Sequence, residues 1–438
     1  MPRRLAALPV PALVPLAAVA WLAFRPGGEA GFAAEPAASR LRVATFNVSL
    51  YGERQGDLRK RLEGGADPQA RRLAAILQQV RPQIVLLNEI DVDPDCLEVF
   101  ERHYLGRPQA LDGQGALGEP LQFAHRLQPA SNTGVHAERD LNRDGAVELR
   151  EGSPAYADDC WGYGRYPGQY GWAVLSQFPI DAARVRTFRT FLWKDMPGAL
   201  LPDDPETNAP GDWYAADALE RFPLSSKNHG DVPIRIGDRT VHLLASHPTP
   251  PAFDGAEQRN RRRNHDEIRL WTDYLSGPAA SSYLTDDAGV RGGLDEEALF
   301  VIAGDLNADP HDGRSTAAIA ELLAHPRVGR HAPPRSTGGA VKSARDGGVN
   351  ARHAGDPACD TLDASERGSG PGNLRVDYVL PAAGLRVVEA GVFWPAPDDP
   401  QADLVWGDPF PSSDHRLAWI DLACEGSRLA TDGDLVAP

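Results

Sequence analysis

The chain has 438 residues, 42% hydrophobic and 24% charged, which is enough apolar content for a large core and excludes wholesale disorder. Its formal net charge of −16 argues against tight non-specific binding to duplex nucleic acid, although a local basic groove can coexist with an acidic whole. The 43 glycines and 38 prolines predict many long loops.

At the N-terminus, Arg3 and Arg4 precede a mostly apolar run from Leu5 to Phe24, and small residues follow. That order predicts a cleaved signal peptide over residues 1–34 and a secreted or periplasmic protein. Pro9, Pro11 and Pro15 disfavour the alternative, a retained anchor, and no second apolar run is long enough to span a bilayer. Cys96, Cys160, Cys359 and Cys424 remain downstream. An even count permits one or two disulfides, with buried free thiols as the alternative, and the lack of a CxxC pair argues against zinc.

"LRVATFNVSLYG" (41–52) reads as a strand ending in Asn47 and Ser49. "DPQARRLAAILQQV" (67–80) reads as a helix, with Asp67 at the N-cap and Pro68 in the first turn. "RPQIVLLNEID" (81–91) is a continuous apolar strand that ends in Glu89, a pattern that expects cover on both faces. Further strands are expected at 171–180, at 240–251 with His247 near its end, and at 298–310 with Asp305 and Asn307. Two more follow at 374–381, containing Asp377, and at 412–422, opening on Asp414 and His415. Residues 255–276 read as a charged helix and 315–323 as a short one. The folded part is expected over 41–424, with insertions at 104–165, 190–230, 277–296 and 329–373, and a loose tail at 425–438.

Two stretches stand apart. "DLNRDGAVELRE" (140–151) fits a calcium-loop template, with Asp140, Asn142 and Asp144 supplying oxygens, Gly145 at the bend and Glu151 closing the set. Its flanks do not read as helices, so a solitary Ca²⁺ loop is expected. "RNRRRNHDEIRLW" (259–271) is the densest basic cluster, and it offers Arg259, Arg262 and Arg263 either as a phosphate-binding face or as a solvated helix face. Lys227, Asn228 and His229 are expected at the pocket rim on position alone.

Taken in order, "TFNV", "LLNEID", "SHP", "GDLNADP", "RVDYVL" and "SDHR" resemble the endonuclease/exonuclease/phosphatase superfamily of pancreatic-deoxyribonuclease-like, metal-dependent phosphoesterases. The resemblance spans residues 41–422. It implies an α/β fold: a four-layer sandwich in which two packed, mostly antiparallel or mixed β-sheets are flanked by helices. It also implies a divalent cation, Mg²⁺ or Mn²⁺, held by Asn47 and Glu89 with Asp414 close by. His415 would act as general base or phosphate contact, oriented by Asp377. Asp305 would orient the water, Asn307 would donate to a non-bridging oxygen, and His247 would contact the phosphate or protonate the leaving oxygen. Many members carry Gln where this chain has Asn88, and nucleases often carry a carboxylate where it has Ser49. The expected function is an exported phosphoesterase acting on a phosphodiester or phosphomonoester. The alternatives are an extracellular endonuclease acting on DNA or RNA, and a catalytically silent binding module.

Overall fold

A computed structural model describes residues 40–364, 370–425 and 428–429. The signal-peptide reading at 1–34 and nearly all of the tail expected at 425–438 lie outside the described residues. Among those described, no helix is long and apolar enough to cross a membrane.

The first sheet is built from β1 (Arg40–Leu50), β2 (Ile84–Ile90), β3 (His125–Leu127) and β4 (Gly171–Ser176). The second contains β5 (Arg186–Thr187), β6 (Gly230–Ile236), β7 (Arg239–Ala245), β8 (Leu299–Asp305) and β9 (Asp377–Pro381). The chain then returns to the first sheet with β10 (Val387–Val392), β11 (Ala418–Glu425) and β12 (Arg428–Leu429). The strand orders are β10-β11-β1-β2-β4-β3, with β12 beside β11, and β5-β6-β7-β8-β9. Each sheet has one parallel pair, β1 with β2 and β7 with β8, and its other pairings are antiparallel. This is the expected sandwich of two mixed sheets flanked by helices.

Parallel neighbours need a crossover connection, and a helix supplies each one. Helix Pro68–Val80 joins β1 to β2: Asp67 accepts a bond from the Ala70 amide, and Leu73, Leu77 and Val80 are buried. They pack with Phe46, Val48, Val85 and Leu87 of the first sheet. The alternate residues Val43, Ile84 and Leu86 belong to the core shared with β6, β7 and β8. Alternation along a strand thus serves two cores at once, and full burial of each such Leu or Ile contributes about 1.5–3 kcal/mol. Helix Arg259–Leu275 joins β7 to β8 and buries Ile268, Leu270, Trp271 and Tyr274.

Several expectations change. Strand β11 begins at Ala418, so Asp414 and His415 sit in the loop before it. A short helix, Pro154–Asp158, follows the 140–151 loop where none was expected. All four cysteines are free thiols; Cys96, Cys160 and Cys359 are buried. Burial pushes the Cys160 thiol up to about 12 and raises the other three as well.

Candidate active site

The carboxyl ends of the two parallel pairs meet. Asn47 lies near the end of β1, Glu89 near the end of β2, Asp305 ends β8 and His247 follows β7. Strand β9 runs antiparallel to β8, with Asp377 directly opposite Asp305. Strand β11 runs antiparallel to β1, with Ala418 opposite Thr45, so the loop carrying Asp414 and His415 emerges beside Asn47. Topology alone therefore gathers residues from across the chain at one mouth, the usual place for ligands in parallel arrangements.

Local backbone turns these side chains out of the ladder. Pairing of β1 with β2 shifts register between Asn47 and Leu50. Ser49 and Glu89, at φ 44° and 56°, and Asn307, at φ 53°, occupy the left-handed region. A bulge re-aims a side chain, and non-glycine residues in that region cost roughly 1–3 kcal/mol each, a strain that clusters at functional sites. Gly304 allows a close approach: a Cβ there would lie 2.1 Å from the Ser246 carbonyl oxygen.

Asp305 is the hub. Its Oδ2 accepts from Asn47 Nδ2 at 3.0 Å and from Asn307 Nδ2 at 3.3 Å. His247 Nε2 lies 3.3 Å and His415 Nε2 3.7 Å from the same oxygen. Asn47 Nδ2 also donates to Glu89 Oε1 at 3.0 Å, and His247 Nε2 is 3.9 Å from that oxygen. His415 Nδ1 donates to Asp377 Oδ2 at 2.8 Å, which leaves Nε2 facing Asp305. Asp414 accepts from Ser49 Oγ at 2.9 Å, while Ser413 Oγ donates to the Asn47 carbonyl at 2.7 Å.

Burial raises the Asp305 carboxyl, but His415, His247 and the Asn47 amide outweigh it and hold it well below the usual carboxylate range. Burial likewise lowers His415, but Asp377 and Asp305 outweigh it and hold the imidazole protonated well above its ordinary range. Burial pushes Asp377 up to about 6, against the pull of His415. At the mouth, Tyr51 is pushed up to about 12 by burial and then by Glu89 and Asp414.

The donor set fits a hard divalent cation. Glu89, His247 and Asp305 bring ligand atoms within 4.8 Å of one another, as do Asp305, Asp377 and His415. Both His247 nitrogens are buried without an aligned hydrogen-bond partner. Asp414 belongs to neither cluster among the described residues and adjoins them through Ser49.

A profile of the Endonuclease/Exonuclease/phosphatase family matches residues 44–415. The chain belongs to this family. No curated protein matches it. Among solved structures, an endonuclease/exonuclease/phosphatase from Beutenbergia cavernae is 16% identical at a TM-score of 0.44, covering 90% of this chain and 72% of that one. Sphingomyelinase C from Streptomyces griseocarneus is 16% identical at 0.42, covering 88% and 99%. TDP2 from Caenorhabditis elegans is 14% identical at 0.38, covering 88% and 74%.

Other expected site residues are placed differently. Arg263 is buried, and its guanidinium donates to the carbonyls of Trp161, Pro223 and Leu224. Arg262 is taken by the Leu201 carbonyl and Asp203, and Arg259 faces Glu257 at 3.9 Å. The expected phosphate-binding face is corrected: Arg262 and Arg263 hold loop carbonyls, and Arg259 faces Glu257. Asn307 Nδ2 is engaged by Asp305 and by the Pro248 carbonyl at 3.1 Å, so its amide braces Asp305 here.

In the 140–151 loop, Asp140 accepts from the amides of Asp144 and Gly145, Asn142 from Asp144, and Asp144 from Ala146. Gly145 takes φ 90° as the bend requires. Val147, in the same loop, is exposed.

Two supports escaped the sequence reading. Asn88 pins the sheets together: its Oδ1 accepts from Thr45 Oγ1 and the Asp305 amide, and its Nδ2 donates to the Ser246 carbonyl. Its place directly before Glu89 was the only signal for it. Glu267, buried in helix Arg259–Leu275, accepts from the Ser226 and Thr249 amides at 2.6 Å each. A charged residue on the apolar side of a helix was its signal.

Proposed function

We propose that the protein is a divalent-metal-dependent phosphoesterase that uses this cleft to hydrolyse a phosphodiester or phosphomonoester. The observation that carries the reading is the convergence on Asp305 Oδ2 of Asn47, His247, Asn307 and His415, with Glu89 beside them. A Mg²⁺ or Mn²⁺ ion held by Glu89 and Asn47, with Asp414 adjoining, would polarise the phosphoryl group and screen the carboxylates. Asp305, ionised throughout the working range, accepts a hydrogen bond from the attacking water and orients it. Asp377 fixes the His415 ring and supports its charge, which favours, of the two roles expected for it, contact with the phosphoryl oxygens. His247, whose Nε2 lies 3.3 Å from Asp305 Oδ2 and whose Nδ1 is buried without a partner, would protonate the leaving oxygen.

The test is hydrolysis of plasmid DNA, RNA, bis-nitrophenyl phosphate and nitrophenyl phosphate, each with and without chelator. Asp305→Ala and His415→Ala serve as the inactive controls. Hydrolysis that needs the metal and both side chains is the expected result; full activity in either variant would sink the reading. Export through the 1–34 segment is part of the same proposal, and N-terminal sequencing of the mature protein checks it. So is Ca²⁺ in the 140–151 loop: calorimetric titration should show binding in the parent protein and its loss in Asp140→Ala.

A further inference from the structure

Lys227 lies in the loop entering β6 and is 7% exposed. Its ammonium has a single hydrogen-bond acceptor among the described residues, the Pro248 carbonyl at a long 3.5 Å, and no carboxylate within ion-pair distance. An ammonium out of water without a close counter-charge is strongly disfavoured. Glu267 lies beyond ion-pair distance of the ammonium, and its two oxygens accept from the Ser226 and Thr249 amides. Those two bonds clamp the Lys227 loop to the loop that follows His247, so the lysine is held on rigid backbone. The hydroxyls of Ser226 and Thr249 are themselves buried without partners.

Its position ties it to the cleft. The Pro248 carbonyl that Lys227 reaches is the one that accepts from Asn307 Nδ2. Burial pulls the ammonium below the ordinary lysine value, and Glu267, Glu89 and Asp305 offset that pull. The group expected to hold a non-bridging oxygen, the Asn307 amide, is already engaged by Asp305 and Pro248, whereas the ammonium has only the long contact to the Pro248 carbonyl.

We propose that Lys227 is a substrate-binding residue that grips a non-bridging phosphoryl oxygen, so that the buried charge finds its partner only when the phosphate is bound. This rests on the phosphoesterase reading above. An ammonium suits the task as a point charge toward phosphate.

The experiment measures binding of inorganic phosphate by calorimetry in the presence of Mg²⁺, together with thermal unfolding, for the full chain, Lys227→Met and Lys227→Arg. Loss of a charged hydrogen bond predicts about 10- to 100-fold weaker phosphate binding in Lys227→Met. Lys227→Arg should keep phosphate binding within about tenfold, since the charge is retained. Without phosphate, Lys227→Met should unfold no earlier than the parent, because it removes a buried charge that has no carboxylate within ion-pair distance. Unchanged phosphate binding in Lys227→Met overturns the proposal. So does a parent that binds no phosphate, or an equal loss in both variants, which would mark a packing role. Phosphate held through Lys227 with no ester hydrolysed would sink the phosphoesterase reading and leave this site standing. Hydrolysis with phosphate binding indifferent to Lys227 would do the reverse.

Discussion

Replacing Asp377 with Asn tests the electrostatic core of the site. The carboxylate accepts from His415 Nδ1 at 2.8 Å and is buried beneath it. The amide is nearly isosteric, so packing is preserved while the charge is lost. Opposite charges about 4 Å apart attract by about 4 kcal/mol at an effective dielectric near 20, which corresponds to about a thousandfold in rate. Asp377 does not reach the substrate in the proposed arrangement, so kcat should fall by about that factor while KM moves little. The sign of the pH effect follows from His415. Its pKa is held up by Asp377 and Asp305, so removing one of them moves the limb set by His415 to lower pH. Steady-state kinetics on bis-nitrophenyl phosphate across pH would read both effects. A kcat within tenfold of the parent with an unmoved limb would refute the charged His415–Asp377 pair as the source of catalysis.

Glu89→Gln should raise the Mg²⁺ concentration needed for half-maximal activity at least about tenfold, as expected when a ligand is lost; metal titration after chelation checks this. Asn88→Ala strands the Asp305 amide and the Ser246 carbonyl and should cost about 1–3 kcal/mol; an unchanged unfolding midpoint would contradict the pin. Asp360 is buried, and burial followed by Asp309, Asp312 and Asp356 lifts its carboxyl to about 8. A raised acid binds its proton more tightly in the folded state, so the protein loses stability as pH climbs from about 4 to 8, at up to roughly 1.4 kcal/mol per pH unit. Asp360→Asn should therefore change little near pH 4 and stabilise progressively toward pH 8 in denaturant melts.

The sequence showed its strands where burial on both faces leaves an apolar run, as in β2 and β8, and its helices where caps and spacing agree, as at Asp67 and Pro68. Strand β6 was hidden by Gly230, Asp231 and Pro233. Pro233 lies past the two-residue β5, which pairs only with Gly230 and Asp231, and its carbonyl accepts from the Asp181 amide. Helix Thr337–Asp346 was hidden by Gly338 and Gly339; a Cβ on Gly338 would lie 2.4 Å from the Trp394 ring, so that glycine serves contact and not chain breaking. At the site, residues on strand ends were legible because their types are out of place beside apolar runs. The helix arginines misled because their carbonyl partners at 161, 223 and 224 are distant in sequence. Lys227 was visible only as a position, since its isolation depends on what the fold leaves around it.

The reacting groups come from two sheets, and Asn88 is a polar link across the seam between them. Heat or denaturant that lets one sheet slip past the other would scatter Asp305 from Asn47 before either sheet dissolves. Catalytic competence would then report on alignment of the halves, vanishing while circular dichroism still records intact strands.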